Sequence, residues 1–260
     1  MLAQRIAILT LLLATLAHGP AAAAIKFQSA GQQTALLELY TSEGCSSCPP
    51  AEKWLSRLTD SPRLWQDFVP VAFHVDYWDD LGWRDPWSTA QFSERQRKYG
   101  ATWHSRTIYT PEFVLNGKEW RNWSGREVPK SSTANIGIIF VSSTDTNTWV
   151  VHFQPTAGGQ SNYQAHAVWL VSDVKSEVKA GENEGRTLKH DFVVITYAEA
   201  PMKPQPDGFE CTLNLKAPAP TASGRLALAV WISESGRLEP VQATGGWVTR
   251  PRPDLGKSGR

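Results

Sequence analysis

The sequence predicts an α/β layered N-terminal domain followed by an all-β antiparallel sandwich. Up to about residue 124, strand-like and helix-like stretches alternate, the pattern of helices layered on a sheet. Beyond that point no helical period occurs, and six short apolar stretches are separated by turn residues. Of 260 residues, 41% are hydrophobic and 20% charged, which supplies a packed core and argues against disorder.

The chain opens with Arg5, an apolar run from Ile6 to Ala17, the breaker Gly19-Pro20 and four alanines, Ala21 to Ala24. A positive charge, a dozen apolar residues and an Ala-x-Ala site are the parts of a secretory signal peptide, with cleavage expected after Ala24. The competing readings are a retained anchor and a buried helix, but the run is short for a bilayer. No cysteine follows the small residues, which argues against a lipid anchor. Removal of residues 1–24 takes away Arg5 and no acid, leaving 25 basic and 25 acidic residues. That neutrality gives no electrostatic reason to expect nucleic-acid binding. No other long apolar run exists, so no membrane association is expected after cleavage, and the expected location is the periplasm or outside the cell.

The mature chain divides into residues 25–130, the α/β domain, residues 131–250, the sandwich, and residues 251–260, a Pro-, Gly- and Arg-rich tail expected to be disordered. In the first domain, Thr34 to Tyr40 reads as a strand. Pro49 to Leu58 reads as a helix, because Pro49 and Pro50 fit only its first turn. Phe68 to Asp76 reads as a buried strand and Ser88 to Tyr99 as a polar helix. Glu112 to Trp123 reads as a hairpin turned at Asn116-Gly117. In the second domain the expected strands are Ile136 to Ser142, Thr148 to Phe153, Tyr163 to Ser172, Thr187 to Tyr197, Glu210 to Lys216 and Arg225 to Ser233.

The strongest chemical signal is Cys45-Ser46-Ser47-Cys48-Pro49-Pro50, between a strand and a helix. A thiolate at a helix start faces free backbone N–H groups and the positive end of the helix dipole, and both lower its pKa. Cys45, the outer residue, is the candidate attacking thiol and Cys48 the resolving one. A permanent structural disulfide is the competing reading in an oxidising compartment. A closed zinc site is disfavoured, because no second Cys-x-x-Cys and no His-x-x-x-His is present. Between the strand end and the next helix lies the block HVDYWDDLGWRDPW, residues 74–87. Tyr77, Trp78 and Trp83 are candidates for an aromatic wall binding a peptide, or for rings that plug the domain edge. His74 is a candidate site residue or a satisfied core histidine. Cys211 reads as a buried free thiol, and His190 as a residue on which nothing converges.

The stretches LLELYTSEGCSSCPPAEKWL, AFHVDYWDDLGWRDPWS and YTPEFVLNG, with GENEGRTLKHDFVV further on, resemble the secreted domain-of-unknown-function 1223 family. The resemblance implies export and a thioredoxin-like fold for the N-terminal domain. In such folds a cis-proline before the third strand packs against the dithiol, which points to a cis Thr110-Pro111 bond, with Pro111 beside the cysteines and Thr110 offering backbone groups to substrate. The chain departs from the usual thioredoxin pattern at Gly44 and the Ser-Ser pair, and it lacks the usual buried acid unless Glu38 serves.

The reading that results is an exported thiol–disulfide oxidoreductase acting on protein cysteines or a redox partner protein, with no cofactor beyond its own disulfide. Two alternatives stand beside it. Cys45, Cys48 and His74 offer a soft ligand set for copper, as in a metallochaperone. Otherwise the chain is a non-catalytic binding domain with a static disulfide.

Overall fold

The computed structural model describes residues 25–130, 133–156, 162–218 and 224–248. The expected signal peptide and C-terminal tail lie outside the described residues. In chain order the elements are β1 (Ile25–Gln28), β2 (Ala35–Thr41), α1 (Pro49–Ser56), β3 (Phe68–His74), α2 (Ala90–Thr102), β4 (Glu112–Leu115) and β5 (Lys118–Glu119). There follow β6 (Gly137–Ser143), β7 (Thr148–Pro155), β8 (Tyr163–Ser172), β9 (Val174–Glu177), β10 (Thr187–His190) and β11 (Val193–Pro201). The last are β12 (Lys203–Gln205), β13 (Gly208–Asn214), β14 (Arg225–Glu234) and β15 (Pro240–Trp247).

The expectation of an α/β thioredoxin-like domain beside a separate antiparallel sandwich does not hold. Among the described residues the regular structure is mostly strand, with two α-helices, and one mixed eight-stranded sheet, ordered β15-β14-β8-β11-β3-β2-β4-β5, draws on both halves of the sequence. The junction is the parallel pairing of β11 with β3, in register at Val193↔Ala72. The physical reason is an edge. β3 reads FVPVAFH and is buried along its whole length, but β2 pairs only one of its sides. Its other edge would be left open, and the start of β11 takes up part of it, the Phe192 carbonyl accepting the Ala72 N–H at 2.8 Å. Periodicity shows which faces are buried; it does not say which edges meet.

The sandwich aspect survives in altered form. A five-stranded sheet, β1-β6-β7-β13-β12, packs against β8 and β14 of the large sheet. Alternate residues Ile139, Val141, Trp149, Val151 and Phe153 point inward and meet Ala165, Ala167, Trp169, Leu228, Val230 and Ile232. A second core lies where α1 and α2 cover the β2–β3 region, around Leu37, Leu39, Leu55, Phe73, Phe92 and Phe113. Pro49 and Pro50 start α1 as expected, and Thr89 caps α2 by accepting the Phe92 N–H at 3.3 Å. The Asn116-Gly117 turn also forms, both residues having positive φ (49° and 77°).

The expected strand Thr187 to Tyr197 is two strands. It breaks at Asp191-Phe192, where Phe192 has φ 59°. Asp191 accepts the Asp173 N–H at 2.9 Å, and Ser172 accepts the Phe192 N–H at 2.9 Å, which fixes the corner. β11 then enters the large sheet, while β10 pairs with β9 as a separate hairpin. That hairpin carries residues 178–186 to the start of α1.

Candidate functional site

Cys45 and Cys48 form a disulfide, with Cα atoms 5.4 Å apart. β2 delivers the chain to a tight turn in which the Ser42 carbonyl accepts the Cys45 N–H at 3.2 Å and Ser42 Oγ accepts the Gly44 N–H at 3.0 Å. Cys48 is the N-cap of α1, and its carbonyl accepts the N–H groups of Ala51 and Glu52. Both cysteines are fully buried, whereas Ser46 and Ser47 between them are exposed.

The sequence-predicted residues fall around this turn unequally. The Thr110-Pro111 bond is cis, and the Thr110 carbonyl oxygen lies 3.8 Å from Cys45 Sγ. Ser47 Oγ sits 3.2 Å from Cys45 Sγ and 3.5 Å from that carbonyl. Trp78 donates its indole N–H to Thr110 Oγ1 at 2.9 Å, so this ring fixes the loop that faces the disulfide. Gly44 gives Trp78 its room, because a Cβ there would stand 3.0 Å from Trp78 Cβ. Trp83 donates to Glu43 Oε2 at 2.8 Å, one side chain removed from the dithiol. Tyr77 donates to Gln96 of α2 at 3.1 Å and its phenol also interacts with the Thr110 side chain; burial pushes it up to about 12.

His74, at the end of β3, is wholly buried, with Nδ1 2.7 Å from Asp85 Oδ2. Asp85 also accepts the Glu43 N–H at 2.8 Å and the Trp87 N–H at 2.9 Å. Burial disfavours its charge, but His74 and these N–H groups outweigh it and hold the carboxyl below its ordinary value. The set Cys45, Cys48 and His74 is not brought together. Among the described residues, the three-ligand group that forms is Glu52, His74 and His190, with no cysteine in it.

His190 is where sequence reading failed most, because two carboxylates converge on it. Its Nδ1 lies 2.6 Å from Glu52 Oε2 and its Nε2 3.1 Å from Glu43 Oε1, neither with hydrogen-bond alignment. Burial opposes protonation of His190, but Glu52 and Glu43 prevail and carry it up to about 10. Glu52 in turn accepts from Thr41 Oγ1 at 2.6 Å. The Asn183 side chain donates to the carbonyls of Glu43 (2.8 Å) and Cys45 (3.0 Å), and the Glu182 carboxylate accepts the Ser46 N–H at 3.0 Å. Glu52 was legible in principle, one helical turn beyond Cys48. Glu43, Asn183 and Glu182 carry no local signal. Glu38 does not serve as the acid beneath the dithiol: Arg95, Tyr40 and Tyr99 hold its carboxylate.

Glu112, two residues past Thr110, accepts from Gln96 Nε2 at 2.7 Å. Burial raises its carboxyl from 4.5 to about 7 against the opposing Gln96 bond. The folded protein therefore keeps a proton that the unfolded chain releases near 4.5. This stabilisation is complete below the unfolded value and is lost as pH rises toward 7. After allowance for solvent screening, urea titrations should show a loss of about 1–2 kcal/mol over that window. Glu112→Gln should flatten the profile there; an unchanged slope would assign the effect elsewhere.

A cleft of about 690 Å³ lies apart from the dithiol and is lined by Arg95, Lys98, His166, Tyr197, Glu199 and Ser233 among others. His166 Nε2 is 2.9 Å from Ser233 Oγ, and Nδ1 is 2.7 Å from Tyr197 Oη and 3.1 Å from Glu199. Ser233 has no exposed surface, so this chain of bonds forms a fixed floor and not an open nucleophile. Cys211 is buried in β13, and burial pushes its thiol up to about 11, an inert setting.

Among the described residues, no helix is long and apolar enough to cross a membrane. No curated protein matches the chain. Two solved structures are similar in fold. Protein AGR_C_4864 from Agrobacterium tumefaciens aligns with TM-score 0.55 and 20% identity over 86% of this chain and 97% of its own. HBP35 of Porphyromonas gingivalis aligns with TM-score 0.55 and 11% identity over 87% of this chain and 79% of its own. The model of a family described as a protein of unknown function, DUF1223, matches residues 36–233, well over half the chain. The chain belongs to the DUF1223 family.

Proposed function

We propose that the protein is an exported thiol–disulfide oxidoreductase that exchanges disulfides with protein cysteines through Cys45 and Cys48, working in the periplasm or outside the cell. The observation that carries the reading is the Cys45 sulfur set 3.8 Å from the Thr110 carbonyl, at a helix start. An exchange centre needs a sulfur beside free backbone polar groups that can hold an incoming chain.

Exchange begins when a substrate thiolate attacks Cys45 Sγ. The S–S bond breaks and Cys48 leaves as a thiolate, which the α1 N-terminus stabilises. A second substrate thiolate then attacks the substrate sulfur of the mixed disulfide, and Cys45 leaves. Two electrons pass from the substrate dithiol to the protein, and the substrate departs as a disulfide. The reverse sequence reduces a substrate disulfide. Both cysteines are buried, so attack requires a local opening of the turn that holds them. Burial of both cysteines favours a second reading, a static disulfide that braces the start of α1.

The reduction potential separates the two. An exchanger should equilibrate with glutathione or a dithiol buffer at a potential above about −300 mV, and a structural disulfide should lie below it. Cys48→Ser should in addition accumulate mixed disulfides at Cys45, visible as adducts by mass spectrometry. A potential below that limit together with no adducts would leave the static reading.

A further inference from the structure

Beneath the disulfide, three carboxylates and two imidazoles are buried together: Glu43, Glu52, Asp85, His74 and His190. Among the described residues, the ion pairs made by these carboxylates are with the two histidines, and none is with Lys or Arg.

His74 Nδ1 is taken by Asp85, and the nitrogen left, Nε2, is buried and without a partner. Glu43 Oε1 and both nitrogens of His190 are likewise buried without a hydrogen bond. One ligating atom from each of Glu52, His74 and His190 lies within 4.8 Å of the others, and the two rings meet edge to face at 5.3 Å. A nitrogen this buried is normally hydrogen-bonded, so the unpartnered His74 Nε2, on a residue grouped with Glu52 and His190, asks for an occupant.

We infer that Glu52, His74 and His190 form a site for a first-row divalent transition cation, held by two imidazole nitrogens and one carboxylate. That donor set suits zinc, cobalt or iron(II) and is too poor in oxygen for calcium or magnesium. Asp85 completes the pattern as a positioning residue. It holds His74 Nδ1, and its two carboxylate oxygens are fixed by the backbone N–H groups of Glu43 and Trp87. The site uses no sulfur, so it stands or falls independently of the redox reading.

The test is equilibrium dialysis of the chelator-stripped, purified protein against Co²⁺, read by stoichiometry and visible spectrum. One Co²⁺ per chain is expected, with d–d bands and no intense near-ultraviolet thiolate band. His74→Gln should weaken binding at least tenfold, and Asp85→Asn about 10–100-fold. The Cys45→Ser/Cys48→Ser double variant should bind like the wild type. Where a histidine variant fails to fold, the wild-type stoichiometry and spectrum decide. Substoichiometric Co²⁺, a thiolate band, or wild-type affinity in Asp85→Asn would overturn the site.

Discussion

Cys45→Ser is expected to reduce thiol–disulfide exchange to the uncatalysed background in insulin reduction and in refolding of a scrambled substrate. Every step of the proposed cycle forms or breaks a bond at this sulfur, and a serine hydroxyl neither attacks nor leaves at neutral pH. The change also removes the covalent link. For a closed loop as short as Cys45–Cys48, chain entropy assigns the link about 2 kcal/mol of stability. The assay should therefore run well below the variant's melting temperature, with circular dichroism confirming a folded chain. Background activity in a folded variant supports exchange. Wild-type activity in the same variant would remove Cys45 from the reaction, and the oxidoreductase reading with it.

The second large effect concerns the polar centre of the other core. Glu38→Ala should lower the unfolding free energy by about 3–5 kcal/mol. Glu38 is fully buried on β2, and Arg95 Nε reaches its Oε2 at 2.8 Å from α2. Tyr99 Oη bonds the other oxygen at 2.5 Å, and Tyr40 Oη adds a third bond at 3.0 Å. Arg95 also lies over the rings of Phe73, Tyr99 and Trp231. Alanine would leave that guanidinium without its counter-charge in a place water barely reaches. Urea unfolding of Glu38→Ala and of Glu38→Leu/Arg95→Met makes the comparison. The double variant should recover most of the loss, because the cost lies in the orphaned charge and not in the missing pair. A single variant within about 0.5 kcal/mol of wild type would show that Arg95 finds another partner.

Much of the site was readable residue by residue. Cys45 and Cys48 lie where the chain passes from strand to helix, and Pro49 and Pro50 fix that helix start whatever surrounds them. Thr110 and Pro111 were paired with the dithiol by the fold that the family resemblance implies, together with element order. The Asn116-Gly117 turn follows from its own backbone preferences. Other features were invisible for a physical reason. Nothing near His190 in sequence reveals Glu52 or Glu43, which stand well over a hundred positions away and meet it only because the chain turns at Phe192. Asn183 reaches the Glu43 and Cys45 carbonyls across the same separation.

The sequence by itself determined the local chemistry: a dithiol at a helix start, a core of alternating apolar strands, and an aromatic block after β3. Tertiary structure decided the architecture and the company that chemistry keeps. Side-chain pattern encodes which face of a strand is buried, so most of the longer strands could be read, but β1, β9, β12 and β15 were missed. The open edge of β3 presents backbone groups, which side-chain periodicity does not encode, so its pairing with β11 could not be read. That pairing merges the two halves into one sheet and seats the β9–β10 hairpin, with His190 and Asn183, against the start of α1.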